Sequence, residues 1–170
     1  MKNVAGYDVA RLMAGAWGTL GLLTEVTFKA LPRPPETATL VIEGLADARA
    51  RECLSAALGS PYEVNAAAHL PAWTGRARTL LRVEHFADSV AYRSEALSKE
   101  LAPFGEARRL DGAEAETLWR DVRDAAFFAA PDADAVWRVS VPPTRAPALV
   151  ARVGETIPAD RKSTRLNSSH

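Results

Sequence analysis

The chain has 170 residues, 21 basic and 21 acidic side chains, a formal net charge of zero and 48% hydrophobic residues. That suits one soluble domain, or one domain and part of another, with enough apolar side chains for a core without disulfide staples. Balanced charge argues against nucleic-acid binding, and the single Cys53 excludes an internal disulfide or a cysteine metal cluster.

The longest uncharged run, 12–24, is too short and too glycine-rich to cross a bilayer. Met1-Lys2-Asn3 opens no signal-peptide pattern, so the expected compartment is the cytoplasm.

In chain order, Asp8 is placed to cap a short helix over 9–14, with Val9, Leu12 and Met13 on one face and Gly15 as its stop. A tight turn follows, Gly15-Ala16-Trp17-Gly18-Thr19-Leu20-Gly21. Residues 22–31 alternate as a strand, with Leu22, Thr24, Val26, Phe28 and Ala30 on one side. Pro32-Arg33-Pro34-Pro35 ends that pattern and marks the expected domain boundary.

Beyond the linker, 39–43 reads as a strand. A helix over 46–58 carries Ala46, Ala50, Cys53, Leu54 and Ala57 on one stripe. A weaker strand covers 62–68, and 79–86 is a strand with Leu81 and Val83 facing one way. A helix over 88–102 is capped by Asp88 and turns Val90, Leu97 and Leu101 inward; 106–110 is a further strand. The order β-α-β-β-α-β predicts a ferredoxin-like arrangement. A helix over 113–128 (Leu118, Val122, Ala125), a strand over 136–141 and a helix over 146–153 capped by Thr144 complete the pattern.

The last ten residues, 161–170, have one apolar side chain, Leu166, and no period. They resemble translated sequencing-adapter sequence, and 159–170 is expected to be a disordered, non-native tail.

The glycine turn is the segment that carries chemistry. Glycines admit positive φ and let backbone N–H groups approach a ligand without a Cβ in the way. The glycines precede a strand pattern rather than open a helix, so this is no Rossmann fingerprint. By itself it fits a tight helix-to-strand turn equally well.

Three stretches resemble FAD-linked oxidases of the vanillyl-alcohol oxidase type: Lys2-Asn3-Val4-Ala5-Gly6-Tyr7-Asp8, then Arg11–Gly15, then Gly18-Thr19-Leu20-Gly21-Leu22-Leu23-Thr24-Glu25. Asn3–Asp8 and the later Trp137–Pro143 are most similar to the branch that oxidises small 2-hydroxy acids. The resemblance implies an α+β chain: 1–35 would be the end of a PCMH-type FAD-binding domain with its linker. Residues 36–158 would be a ferredoxin-like cap with an extra helix-strand-helix.

It further implies FAD contacts from Trp17, Gly18, Thr19, Leu20, Gly21 and Leu22, with Asn3, Gly6 and Tyr7 near the flavin. A second, catalytic flavin subunit and an iron–sulfur subunit are the implied partners, which would place the protein at the inner face of the cell membrane. The family's pyrophosphate loop lies upstream of the matched motif, so the chain is expected to be a C-terminal fragment that does not retain FAD alone. No catalytic base is assigned.

Other residues leave alternatives open. Arg138, mid-strand, suits a substrate carboxylate through two parallel hydrogen bonds, or a solvated face, or a salt bridge to Glu84. His69 and His85 lack partners at metal-ligand spacing, so no metal site is expected, and His85 reads as a partly buried polar side chain. Cys53 reads as a small core residue. Arg108-Arg109 reads as a solvated edge or a subunit contact; Trp73, Trp119 and Trp137 read as core or interface residues. The competing functional reading is a non-catalytic ferredoxin-like interaction module.

Overall fold

A computed structural model describes residues 8–30, 32–72, 75–128, 138–156 and 166–167. The chain divides into two compact units, Met1–Arg33 and Pro34–His170.

The first unit holds helix α1 (Val9–Met13). The Asp8 side chain accepts from the Arg11 N–H at 3.2 Å, which satisfies one of the donors a helix start leaves open. Ala14 closes the helix and Gly15 takes φ +81°. Residues 21–30 form no strand, contrary to the alternating pattern. A ladder needs a second strand, and none is described in this unit. Both faces of the pattern are therefore exposed, as Leu22 (89%) and Phe28 (85%) show on one side and Leu23 (58%) on the other.

The second unit is α+β. Its elements are β1 (Glu36–Glu43), α2 (Asp47–Gly59), β2 (Ala66–Leu70), β3 (Arg78–His85), α3 (Ala87–Glu100), β4 (Ala107–Leu110), α4 (Gly112–Asp124), α5 (Ala146–Thr156) and the two-residue β5 (Leu166–Asn167). The antiparallel sheet runs in the order β4-β1-β3-β2-β5. β1 and β2 are parallel to each other and split by β3, and α2 connects them across that gap.

Register puts Leu40 opposite Leu81 and Val41 opposite Leu80. Because strand side chains alternate, these pairs lie on opposite faces. Leu40, Ile42, Ala67, Leu81 and Val83 pack against α2 (Ala50, Cys53, Leu54, Ala57) and the end of α3 (Leu97, Leu101). Val41, Ala68, Leu70, Leu80 and Leu110 pack against Ala115, Leu118 and Val122 of α4. Both faces of the central strands are thus covered, which is why β1 reads as a continuous apolar run at its middle.

Several boundaries differ from the sequence pattern. β2 begins at Ala66, four residues later than expected. Ala46 is an exposed N-cap residue, outside the buried stripe. Asp88 lies in the first turn of α3, and Phe86 takes the cap position without a side-chain hydrogen bond. α4 stops at Asp124 because Ala125 is left-handed (φ 52°), and a 3₁₀ turn, Ala126–Phe128, follows. Thr144 lies inside the 3₁₀ turn Pro143–Arg145 that leads into α5.

The expected strand over 136–141 is absent across its described part. Residues 138–142 are exposed and join no described strand, so the alternation has no buried face on which to act, and Pro142 and Pro143 bring no N–H donors. Within the expected structureless tail, Leu166–Asn167 pair with Ala68 and His69 of β2. An open strand edge offers unpaired N–H and C=O groups to any extended segment, whatever its side chains. The rest of 159–170 lies outside the described residues.

Replacing Leu81, fully buried at the centre of β3, with Ala should remove its packing against α2 and α3. A loss of about 3 kcal/mol is expected from urea unfolding. A loss under about 1 kcal/mol would mean that this layer is not close-packed.

Candidate functional site

The glycine turn owes its shape to its backbone. Thr19 N–H donates to Ala16 O at 2.9 Å, closing a four-residue turn whose central residues, Trp17 (φ 51°) and Gly18 (φ 77°), are both left-handed. A turn of this kind demands positive φ twice, which glycine supplies freely and tryptophan does not. The Thr19 hydroxyl reinforces it, donating to the same carbonyl at 2.6 Å, and Ala16 N–H donates to Met13 O at 3.2 Å.

Those bonds occupy only some donors. Among the described residues, the N–H groups of Trp17, Gly18, Leu20 and Gly21 have no acceptor. A Cβ built on Gly15 or Gly18 meets nothing within 4 Å, so the main chain is open to an incoming group there. Trp17 (95% exposed), Leu20 and Leu22 stand around it. Chemically the turn is a set of fixed N–H donors rimmed by apolar surface. Such a set suits anionic or carbonyl oxygens on a largely flat, apolar ligand.

Of the other predicted contacts, Asn3, Gly6 and Tyr7 lie outside the described residues. Arg138 is exposed in the irregular 138–142 segment. It is not the partner of Glu84, whose carboxylate instead pairs with Arg82 at 3.0 Å and accepts from the Asn65 amide. Trp73 and Trp137 fall outside the described residues.

Sequence reasoning missed two side-chain clusters in the second unit. On the α4 side of the sheet, Trp119 Nε1–H donates to the fully buried Thr39 hydroxyl at 2.9 Å, and the Arg82 guanidinium lies 5.2 Å from the Trp119 ring centre. Eighty residues separate Trp119 from Thr39, so no local spacing announces the pair. On the α2 side, His69 is buried with one ring nitrogen 3.0 Å from Thr79 Oγ1 and the other 3.3 Å from Asp47 Oδ1. Burial lowers the His69 pKa, and the Asp47 carboxylate partly opposes the shift.

Cys53 is a buried core residue whose thiol is pushed up to about 11 by burial, so it is no nucleophile at neutral pH. His85, expected to be partly buried, is exposed at the end of β3, against the edge of Phe86. Arg109 pairs with Asp111 and Glu36 along the outer strand β4. No group of three or more possible metal ligands occurs among the described residues. No described helix is long and apolar enough to cross a membrane.

Comparison with known proteins gives short matches of high identity. Over 40 residues, 24% of the chain, it is 60% identical to glycolate oxidase subunit GlcE of Escherichia coli (strain K12), covering 11% of that protein. Over 40 residues it is 50% identical to glycolate oxidase subunit GlcD of Bacillus subtilis (strain 168), covering 8% of it. Over 41 residues it is 44% identical to a D-lactate dehydrogenase of Anaerostipes hadrus, covering 9% of it. All three carry oxidoreductase names, and two are subunits of glycolate oxidase. No family model matches the chain, and no solved structure does.

The exposed apolar strip of the first unit has a direct consequence. The isolated chain should self-associate at micromolar concentration, because unpaired extended backbone flanked by Leu22, Val26 and Phe28 offers an edge for pairing. The double variant Leu22→Lys/Phe28→Lys should shift light scattering toward monomer. A wild-type chain that is already monodisperse would contradict this.

Proposed function

We propose that this chain is part of an FAD-linked oxidoreductase subunit of the glycolate oxidase kind, acting on a small 2-hydroxy acid. The observation that carries the reading is the 60% identity over 40 residues to glycolate oxidase subunit GlcE. It is supported by matches to a second glycolate oxidase subunit and to a D-lactate dehydrogenase. Glycolate, oxidised to glyoxylate, is the substrate this favours. A catalytic flavin subunit and an iron–sulfur subunit are the partners, holding the assembly at the inner face of the cell membrane.

The residues present suit FAD at the glycine turn. N–H donors of Trp17, Gly18, Leu20 and Gly21 are available there, and no side chain intrudes at residues 15 and 18. Residues 17–22 would hold the cofactor, with Asn3, Gly6 and Tyr7 as further contacts. FAD, when bound, accepts the hydride equivalent that leaves the hydroxylated carbon, and in such enzymes the protein's part is to orient cofactor and substrate. In this chain the turn is closed by its own hydrogen bonds before any ligand arrives, so little ordering entropy is lost on binding. Arg138 is the proposed anchor for the substrate carboxylate.

Residues 1–35 are read as the end of the FAD-binding domain, of PCMH type, and 36–158 as a ferredoxin-like cap. The cap reading is supported by the order β-α-β-β-α-β over 36–110 and by the strand order β4-β1-β3-β2. The matched segments cover about a tenth of the relatives' length.

The test uses the reading frame of the source DNA that contains this sequence. Its product should co-purify with flavin in stoichiometric amount. Gly18→Val should lower flavin retention at least tenfold, because a β-branched residue resists positive φ and covers the donors. The 170-residue chain alone should hold none. A full-frame product without flavin, or a Gly18→Val variant that retains it fully, would favour the non-catalytic interaction module.

A further inference from the structure

Asp47, His69 and Thr79 come from three different elements of the second unit and meet inside it. Asp47 opens α2, His69 sits on β2, and Thr79 is its cross-strand partner on β3. His69 is 1% exposed and Thr79 0%. The Thr79 hydroxyl is therefore sealed from any substrate, and the group is no catalytic triad despite its composition.

Its hydrogen-bond directions are fixed. The Asp47 carboxylate only accepts, so the ring nitrogen facing it, Nε2, carries the hydrogen. A neutral imidazole then has a bare Nδ1, which accepts from the Thr79 hydroxyl at 3.0 Å. Adding a proton at Nδ1 turns both groups into donors along one axis. Thr79 must then redirect its hydrogen within a buried setting, and the ring carries a charge away from water. Unmet buried donors and unhydrated charge are the two costs that proteins seldom accept.

We infer that the Asp47–His69–Thr79 cluster is an acid-sensitive pin that joins strand β2 to α2 and β3 at neutral pH and loosens when His69 takes up a proton. The inference does not depend on the flavin reading.

Among the described residues, Asp47 is the charged group that faces the ring, and it favours the protonated form. The other titratable side chain on the buried stripe of α2 is Cys53, a neutral thiol. β3 presents Thr79 and Leu81 on this face, while Arg78 and Arg82 alternate to the other. β2 has no other titratable residue, and Leu166 and Asn167 of β5 have no ionisable group. From α3, Arg93 reaches the far end of β3, where it donates to Glu84 O at 2.8 Å and pairs with Glu63. That is five residues from Thr79, about 17 Å along the strand.

The sign follows from linkage. His69 has its pKa lowered in the folded state, so the unfolded or locally opened chain binds the proton more readily. The contribution of the pin is complete above the ordinary histidine pKa and is lost as pH falls from there toward the folded value. Below the folded value the loss is constant.

Native-state hydrogen exchange on the Leu22→Lys/Phe28→Lys form of the 170-residue chain, whose substitutions lie in the first unit, reads this directly once corrected for intrinsic rates. Between pH 7.5 and 5, protection of the β2 amides should fall by up to about tenfold per pH unit, the limit for one proton. His69→Gln should flatten that dependence. Asp47→Asn should extend the loss to lower pH, since the imidazolium loses its carboxylate. Imidazole NMR provides a second readout: His69 should titrate below the ordinary histidine range. Equal pH dependence with and without His69→Gln, or a His69 imidazole that titrates at or above the ordinary histidine value, would overturn the inference.

Discussion

The second unit depends on burial of one central strand pair from both sides. β1 and β3 are held in register over eight residue pairs, and each carries large aliphatic side chains on both faces. One face is closed by α2 and α3, the other by α4. A strand so placed exposes no backbone to water, so every N–H and C=O must find a ladder partner. The antiparallel neighbours β4 and β2 supply them. Two of the polar groups that accompany this burial are answered by side chains from other elements, Thr39 by Trp119 and His69 by Asp47 and Thr79, while the buried Ser94 hydroxyl of α3 has no partner among the described residues.

This explains what could be read in the sequence and what could not. The helices α2, α3 and α4 were legible because their inward residues repeat at helical spacing and the packing that rewards this spacing is present. β1 and β3 were legible for the same reason at a period of two. Residues 22–30 show an equally clear alternation and form no strand. Period is a property of one segment, but a ladder needs two, and the described part of the first unit has no second. Residues 138–141 fail in the same way.

The side-chain clusters were illegible for a different reason. In the sequence His69 lacks partners at metal-ligand spacing, and nothing singles out Asp47. Their meeting depends on α2 lying across the gap between β1 and β2, which only the assembled topology settles. The glycine turn is the opposite case. Its geometry is local, closed by bonds between residues three apart, so the residues that shape it could be named from sequence. The strain at Trp17 could not, because tryptophan at positive φ is a choice that composition does not announce.

The two apolar clusters on opposite sides of the sheet carry one more implication. They share strands but no side chains, and the α4 layer is the smaller. A layer that meets the rest of the molecule through one helix can peel away while the larger side stays zipped. The domain therefore has a natural order of disassembly: α4 forms the weaker foldon and α2 with the sheet the last to let go. Sub-global opening of that kind would uncover Trp119 and the outer face of β1 without melting the whole, giving the protein a half-open form distinct from its unfolded one.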